Sequence, residues 1–111
     1  MADMELVLIV KGGRDAVAKW REENPTTTMD LSEAYMSHTR LPQVDLSACD
    51  LRNADFMGAM LRRANFSRSY MNPCHLYRSD LREANLSGTL LSGANLRGAD
   101  LRKANLEGAN L

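Results

Sequence analysis

From Leu31 onward, every fifth residue is large and apolar. The series is Leu31, Met36, Leu41, Leu46, Leu51, Phe56, Leu61, Phe66, Met71, Leu76, Leu81, Leu86, Leu91, Leu96, Leu101, Leu106 and Leu111, seventeen steps with no insertion. A period of five fits neither a helix at 3.6 nor a simple strand at 2, and a coiled coil needs seven. It suits a chain that turns residues i and i−2 inward and bends once per repeat, because residues two apart share a side of an extended segment. Fifteen of the seventeen i−2 residues are Ala, Ser, Thr or Cys, the exceptions being Met29 and Val44. The small residue has a steric cause: two bulky groups per repeat would overfill a narrow interior.

The repeat unit, seen in Ala54-Asp55-Phe56, Ala84-Asn85-Leu86 and Ala104-Asn105-Leu106, reads A-(D/N)-L-x-x. It resembles the pentapeptide-repeat family over about residues 29–111. That resemblance implies an all-β repeat solenoid, a right-handed quadrilateral β-helix with four repeats to a coil. Coils stack at the strand spacing of about 4.8 Å, so about four coils make a tower roughly 20 Å tall. Stepping by twenty gives four inward columns, headed by Leu31, Met36, Leu41 and Leu46. The expected core is Leu31, Met36, Leu41, Leu46, Leu51, Phe56, Leu61, Phe66, Met71, Leu76, Leu81 and Leu86. Phe56 and Phe66 are ten apart, on opposite sides of one coil, and their rings are expected to meet across the axis.

Residues 1–28 do not repeat and form the first of two expected domains, with 29–111 as the second. "RDAVAKWREENP" reads as a helix stopped at Asn24-Pro25. "ELVLIV" is compatible with strand or helix, and a helix is favoured because Gly12-Gly13 then separates two helical pieces. Trp20-Arg21-Glu22-Glu23-Asn24-Pro25 is similar to the end of the helical lead-in found in many pentapeptide-repeat proteins. The expected role is a cap. Trp20 and the Leu6–Val10 run would cover the first coil, whose floor otherwise shows apolar surface and unpaired strand edges.

Lys plus Arg and Asp plus Glu are 14 each, a net charge of zero, which gives no general reason to bind nucleic acid or an anionic membrane. No apolar run is long enough to span a bilayer, and Leu6–Val10 is too short for a signal-peptide core. Cys49 and Cys74 suit a reducing compartment, so a cytoplasmic location is expected. Both fall in small inward slots, where free Cys usually serves packing. His38 and His75 fall at outward positions. No phosphate loop, HExxH motif or nucleophile elbow is present, and the i−1 Asp and Asn point outward without converging. No enzyme activity, cofactor or metal is expected.

The outer columns differ from one another. Asp45, Asn65, Asn85 and Asn105 stack on one side, where an amide ladder is expected. Arg62, Arg82 and Arg102 stack on another, joined by Arg63 and Lys103 and interleaved with Asp80, Glu83 and Asp100. This column either compensates itself or faces an anionic partner. Tyr70 and Leu90 stack outward, with Met57 and Tyr77 on the next side, a candidate partner patch. Leu91, Leu96, Leu101, Leu106 and Leu111 form a candidate end-to-end interface. Either a two-fold dimer forms there or the natural chain continues. The expected function is a non-enzymatic protein-binding or scaffold module. The family resemblance also implies an alternative, since some members protect or inhibit DNA gyrase by presenting an acidic rod that imitates DNA. Residues 29–111 carry 9 acidic and 10 basic residues, and with the Arg column this balance disfavours DNA mimicry.

Overall fold

The computed structural model describes residues 2–111. It opens with two short helices, α1 (Met4–Lys11) and α2 (Arg14–Glu23). Asp3 Oδ1 accepts the Glu5 N–H at 2.9 Å and caps α1, satisfying one of the donors that a helix start leaves free. Gly13, at φ 97°, makes the corner between the helices, a conformation glycine adopts without steric cost. The α2 end is held by Asn24 Nδ2, which donates to the Trp20 carbonyl at 2.9 Å. Leu6, Val7, Val10 and Val17 are buried in one continuous core with Met29, Leu31 and Ala34.

From Asp30 onward the chain winds on itself with a twenty-residue offset. Parallel bridges join Asp30 to Asp50, Tyr35 to Asp55, Arg40 to Met60 and Asp45 to Asn65, and continue to Leu90 and Asn110. The ladder is regular: Leu31 N–H donates to Asp50 O at 2.8 Å, and Asp50 N–H returns to Met29 O at 3.0 Å. Each side is one repeat long. The bend is closed locally, as where Ala34 N–H donates to Leu31 O at 3.1 Å. The third residue of the bend has φ near +60°, for instance Glu33 at 62° and Arg63 at 61°. A side-chain-bearing residue costs about 1–2 kcal/mol in that region. The added ladder bond from its N–H, such as Glu33 N–H to Arg52 O at 2.9 Å, offsets it.

The interior is filled as the columns require. The residues from Leu31 to Leu86 at the large position are all buried. Phe56 and Phe66 meet edge to face, with centroids 5.8 Å apart and planes at 80°, a favoured aromatic arrangement. Polar residues in the small slots are satisfied by the backbone. Ser79 Oγ donates to Leu76 O at 2.8 Å and Thr89 Oγ1 to Leu86 O at 2.7 Å. Ser69 does more. Its Oγ donates to Leu46 O at 2.7 Å and accepts the Cys49 N–H at 3.2 Å, bridging the bend of the coil below. Ser69→Ala leaves that buried donor and acceptor unpaired, and a loss of about 1–3 kcal/mol is expected in urea unfolding. A midpoint equal to the wild type contradicts the bridge.

Candidate functional site: the outer columns

Backbone pairing and the two inward side chains of each repeat leave residues i−1, i+1 and i+2 outside. Any function of the tower therefore rests on these outward columns and on its two ends. The i−1 carboxylates and amides are mostly committed to their own bends. Asp45 Oδ1 accepts from Ser47 N at 3.1 Å and Ser47 Oγ at 2.6 Å. Asn65 and Asn85 repeat this with Ser67 and Ser87. The expected amide ladder is therefore corrected: among the described residues no hydrogen bond joins the side chains of Asn65, Asn85 and Asn105. A short Asx side chain reaches the N–H two residues on, and its oxygen is used there.

Tyr35 and Tyr70 take the place of Asp or Asn in two repeats, and their phenols cannot serve the bend in this way. In the Tyr35 repeat the Ser37 hydroxyl has no partner, where an Asp or Asn oxygen accepts from the matching Ser in other repeats; in the Tyr70 repeat Asn72 Oδ1, an acceptor, is also without one. Tyr70 is 50% exposed and Tyr35 is 66% exposed. An unsatisfied group of this kind costs stability, so the Tyr35 repeat keeps an outward aromatic at the expense of a satisfied bend.

The Arg column is paired within itself. Arg82 makes a fork on Asp80 at 2.8 and 2.7 Å, and Arg102 reaches both oxygens of Asp100. Arg63 Nε pairs with Glu83, whose other oxygen lies 3.7 Å from Arg62. The hydrogen bonds from Arg102 hold the Asp100 carboxyl down, from its ordinary 3.8 to about 2. Asp80 and Glu83 are lowered by Arg82 and Arg63 in the same manner. A carboxyl whose folded pKa lies below its unfolded value contributes above the unfolded value and loses that contribution as the pH falls through the folded one. The Asp100 contribution is thus expected to fade between about pH 3.8 and 2. Carboxyl NMR titration checks this: the Asp100 midpoint should rise in Arg102→Gln, and an unchanged midpoint contradicts the pairing.

The four residues of the expected partner patch are not brought together. Tyr70 and Leu90 are bridged neighbours in one column. Met57 and Tyr77 instead line a shallow groove on the next side, with Asp55, His75 and Asn95. The Arg78 guanidinium lies 5.2 Å from the centre of the Tyr77 ring, a cation–π contact. Tyr70→Ala is expected to change stability by no more than about 0.5 kcal/mol, the usual range for surface sites. A large fall in melting temperature contradicts the outward placement of this ring.

At the two ends the reading of the sequence needs two corrections, at Leu8 and Leu91. Trp20 packs against the core from its edge. It is half-buried and lies beside Leu8, Ile9 and Ala16, because its position on α2 turns it toward α1. Val10 and Val17, both 0% exposed, fill the interior. Leu8 of the Leu6–Val10 run points outward and is exposed. Leu91, expected at the upper end face, is 2% exposed and belongs to the core, because the next turn already lies over it. Leu96, Leu101 and Leu106 are half-buried, and Leu111 is 72% exposed.

Two features had no clear signal in the sequence. Arg21 reaches the lower rim, where its Nε donates to Asp45 O at 3.0 Å and Nη2 to Ser47 O at 2.5 Å and Cys49 Sγ at 3.2 Å. The Ala2 N–H donates to Ser32 O at 2.8 Å on the same rim. These are carbonyls that a further coil below would have used. Met4, Leu8 and Tyr35 border an apolar groove of about 390 Å³ between α1 and the first side. His38 and His75 are exposed. Burial pushes both cysteine thiols up to about 12, which keeps them protonated and poor nucleophiles. Among the described residues no cluster of His, Cys, Asp and Glu could hold a metal ion. No described helix is long and apolar enough to cross a membrane.

The structure defines a repeat solenoid with four short sides to each turn and its variable residues on the outside. Residues 30–68 and 74–111 match the pentapeptide-repeat model in eight copies, and the chain belongs to the pentapeptide-repeat family. The unmatched residues 69–73 include the bend at Asn72-Pro73. The pentapeptide repeat protein alr5209 from Nostoc Pcc 7120 is 32% identical with a TM-score of 0.65, covering 85% of this chain and 76% of its own. Rfr23, a pentapeptide repeat protein from the cyanobacterium Cyanothece 51142, is 31% identical with a TM-score of 0.64 over 77% of this chain. This chain spans 61% of the length of Rfr23. No curated protein sequence matches the chain. The family and these neighbours make the winding a right-handed quadrilateral β-helix.

Proposed function

We propose that this protein is a non-enzymatic binding module, a rigid β-helical rod whose outer columns are read by another protein. The observation that carries this reading is the stacked Tyr70–Leu90 pair, an apolar column on a side where the repeat otherwise places Asp or Asn. Tyr70 stands there in place of the carboxylate that closes the bend lower in the same column, where Asp30 and Asp50 accept from Ser32 N–H and Arg52 N–H, a departure from the locally satisfied repeat of the kind seen at functional sites. Membership of a family of structural and binding modules supports the same reading. Residues 1–28 act as a helical cap on the 29–111 tower of about four coils, and Arg21 is the residue that fastens it. Burial of both free cysteines is compatible with a cytoplasmic location. The proposed partner is a protein, with no role for nucleic acid or membrane.

The test is an affinity capture with wild-type protein and the Tyr70→Ser/Leu90→Ser variant side by side, each checked for an unchanged melt. A protein retained by the wild type and lost by the variant is expected. Capture of the same proteins by both contradicts the placement of the site. In vitro supercoiling provides the second arm: potent gyrase inhibition at low protein concentration favours the DNA-mimic alternative.

A further inference from the structure

The side next to the Tyr70–Leu90 column carries a second pattern. Its i−1 column reads Tyr35, Asp55, His75 and Asn95 from bottom to top, joined by successive bridges. The i+1 column beside it reads Ser37, Met57, Tyr77 and Arg97. The middle four of these, Asp55, Met57, His75 and Tyr77, border one open groove. Met57 is 36% exposed, and Asp55 has only its Oδ1 occupied, by the Met57 N–H at 2.9 Å.

We propose that this side pairs with the same side of a second copy of the chain, the two towers lying antiparallel. The ordering of the columns argues for that occupant. A two-fold axis across the tower between the Asp55 and His75 levels keeps each column opposite itself and reverses its order. Asp55 then faces His75 of the other copy, and His75 faces its Asp55. Met57 faces Tyr77, a thioether against an aromatic ring. At the outer levels Tyr35 meets Asn95, and Arg97 meets the level of Ser37. The parallel alternative, with the axis along the tower, sets Asp55 against Met57 and His75 against Tyr77. It gives the carboxylate no polar or cationic group to meet. The pattern is thus self-complementary in one orientation, as an isologous interface requires.

The size of the side sets the strength. The molecule measures 33 × 26 × 24 Å with its helices included, and the side spans only four coil levels of it, so the contact falls below the ~800 Å² per partner of a standard interface. A weak, reversible dimer follows, in the size class where transient pairs are found. This pairing rests on the reading of the protein as a binding rod but uses a different side. The two fail separately: loss of Tyr70 and Leu90 affects capture of another protein, whereas the groove governs self-association.

Sedimentation equilibrium of the full chain across micromolar concentrations tests it. Wild type and Tyr70→Ala should dimerise alike. Asp55→Arg sets a guanidinium against His75, and His75→Glu sets a second carboxylate against Asp55. Each alone should dissociate at least tenfold more readily; His75→Glu should melt as the wild type does, while Asp55→Arg also loses the bend bond from the Met57 N–H and should still melt cooperatively. An equimolar mixture of the two should recover a dimer, because the guanidinium introduced at position 55 of one variant then faces the carboxylate introduced at position 75 of the other. A wild type that stays monomeric, single variants that dimerise normally through another surface such as the upper rim, or a mixture that fails to associate each overturns the proposal.

Discussion

Leu81→Asp is expected to abolish folding. Leu81 is 0% exposed and stands in the column of Leu41, Leu61 and Leu101, with its own N–H donating to Asp100 O at 2.9 Å. Aspartate there must either bury an ionised carboxylate or neutralise it and bury an unsatisfied acid. Burying the charge costs far more than any side-chain rearrangement recovers. The whole stability of a domain is only about 5–15 kcal/mol. In a stacked repeat each turn also relies on its neighbours, so damage in the middle reaches both directions. Circular dichroism and amide dispersion in NMR should show an unfolded chain. A cooperative melt close to that of the wild type places Leu81 outside the core.

The second large effect is expected at Arg21. Its guanidinium makes two hydrogen bonds to rim carbonyls and a third contact to Cys49 Sγ. A hydrogen bond to a charged group contributes about 1.5–3 kcal/mol, and partial exposure lets water recover some of it. Arg21→Met, which keeps the apolar stem, should therefore cost about 2–4 kcal/mol. Arg14→Met supplies the comparison, because Arg14 pairs with Gln43 on the exposed surface, and its loss should stay within about 0.5 kcal/mol. Urea unfolding measures both. Equal midpoints for the two variants contradict the fastening role of Arg21.

Much of the tower was legible because burial is periodic. Periodicity gave the inward pair of each repeat, with the small residue before each large one as its steric mark, while the four-repeat coil that puts Leu31, Leu51 and Met71 in one column and Phe56 opposite Phe66 was implied by the family resemblance. The outer surface was less legible. Asp, Asn and Ser at the bends look alike in sequence whether they stack in ladders or close their own turns, and the short reach of the Asx side chain decides for the turn. The cap shows the same limit. Trp20 draws the eye as the largest apolar group of α2, yet the packing of α2 on α1 puts Val17 inside and Trp20 at the edge. Arg21 reads as a surface charge until the unpaired rim carbonyls are in view. The expected patch divides between two sides, with Tyr70 and Leu90 joined by a bridge on one and Met57 and Tyr77 beside a groove on the next.

Every assignment of an outward column depends on residues twenty apart lying one above the other. Backbone NOEs in solution test this directly. They should link Asn65 with Asn85, Asp55 with His75 and Tyr70 with Leu90, each pair being joined by a parallel bridge. Links at any other spacing between sides, or a run of helical i to i+3 connections across residues 30–111, contradict the winding and with it the proposed binding surfaces.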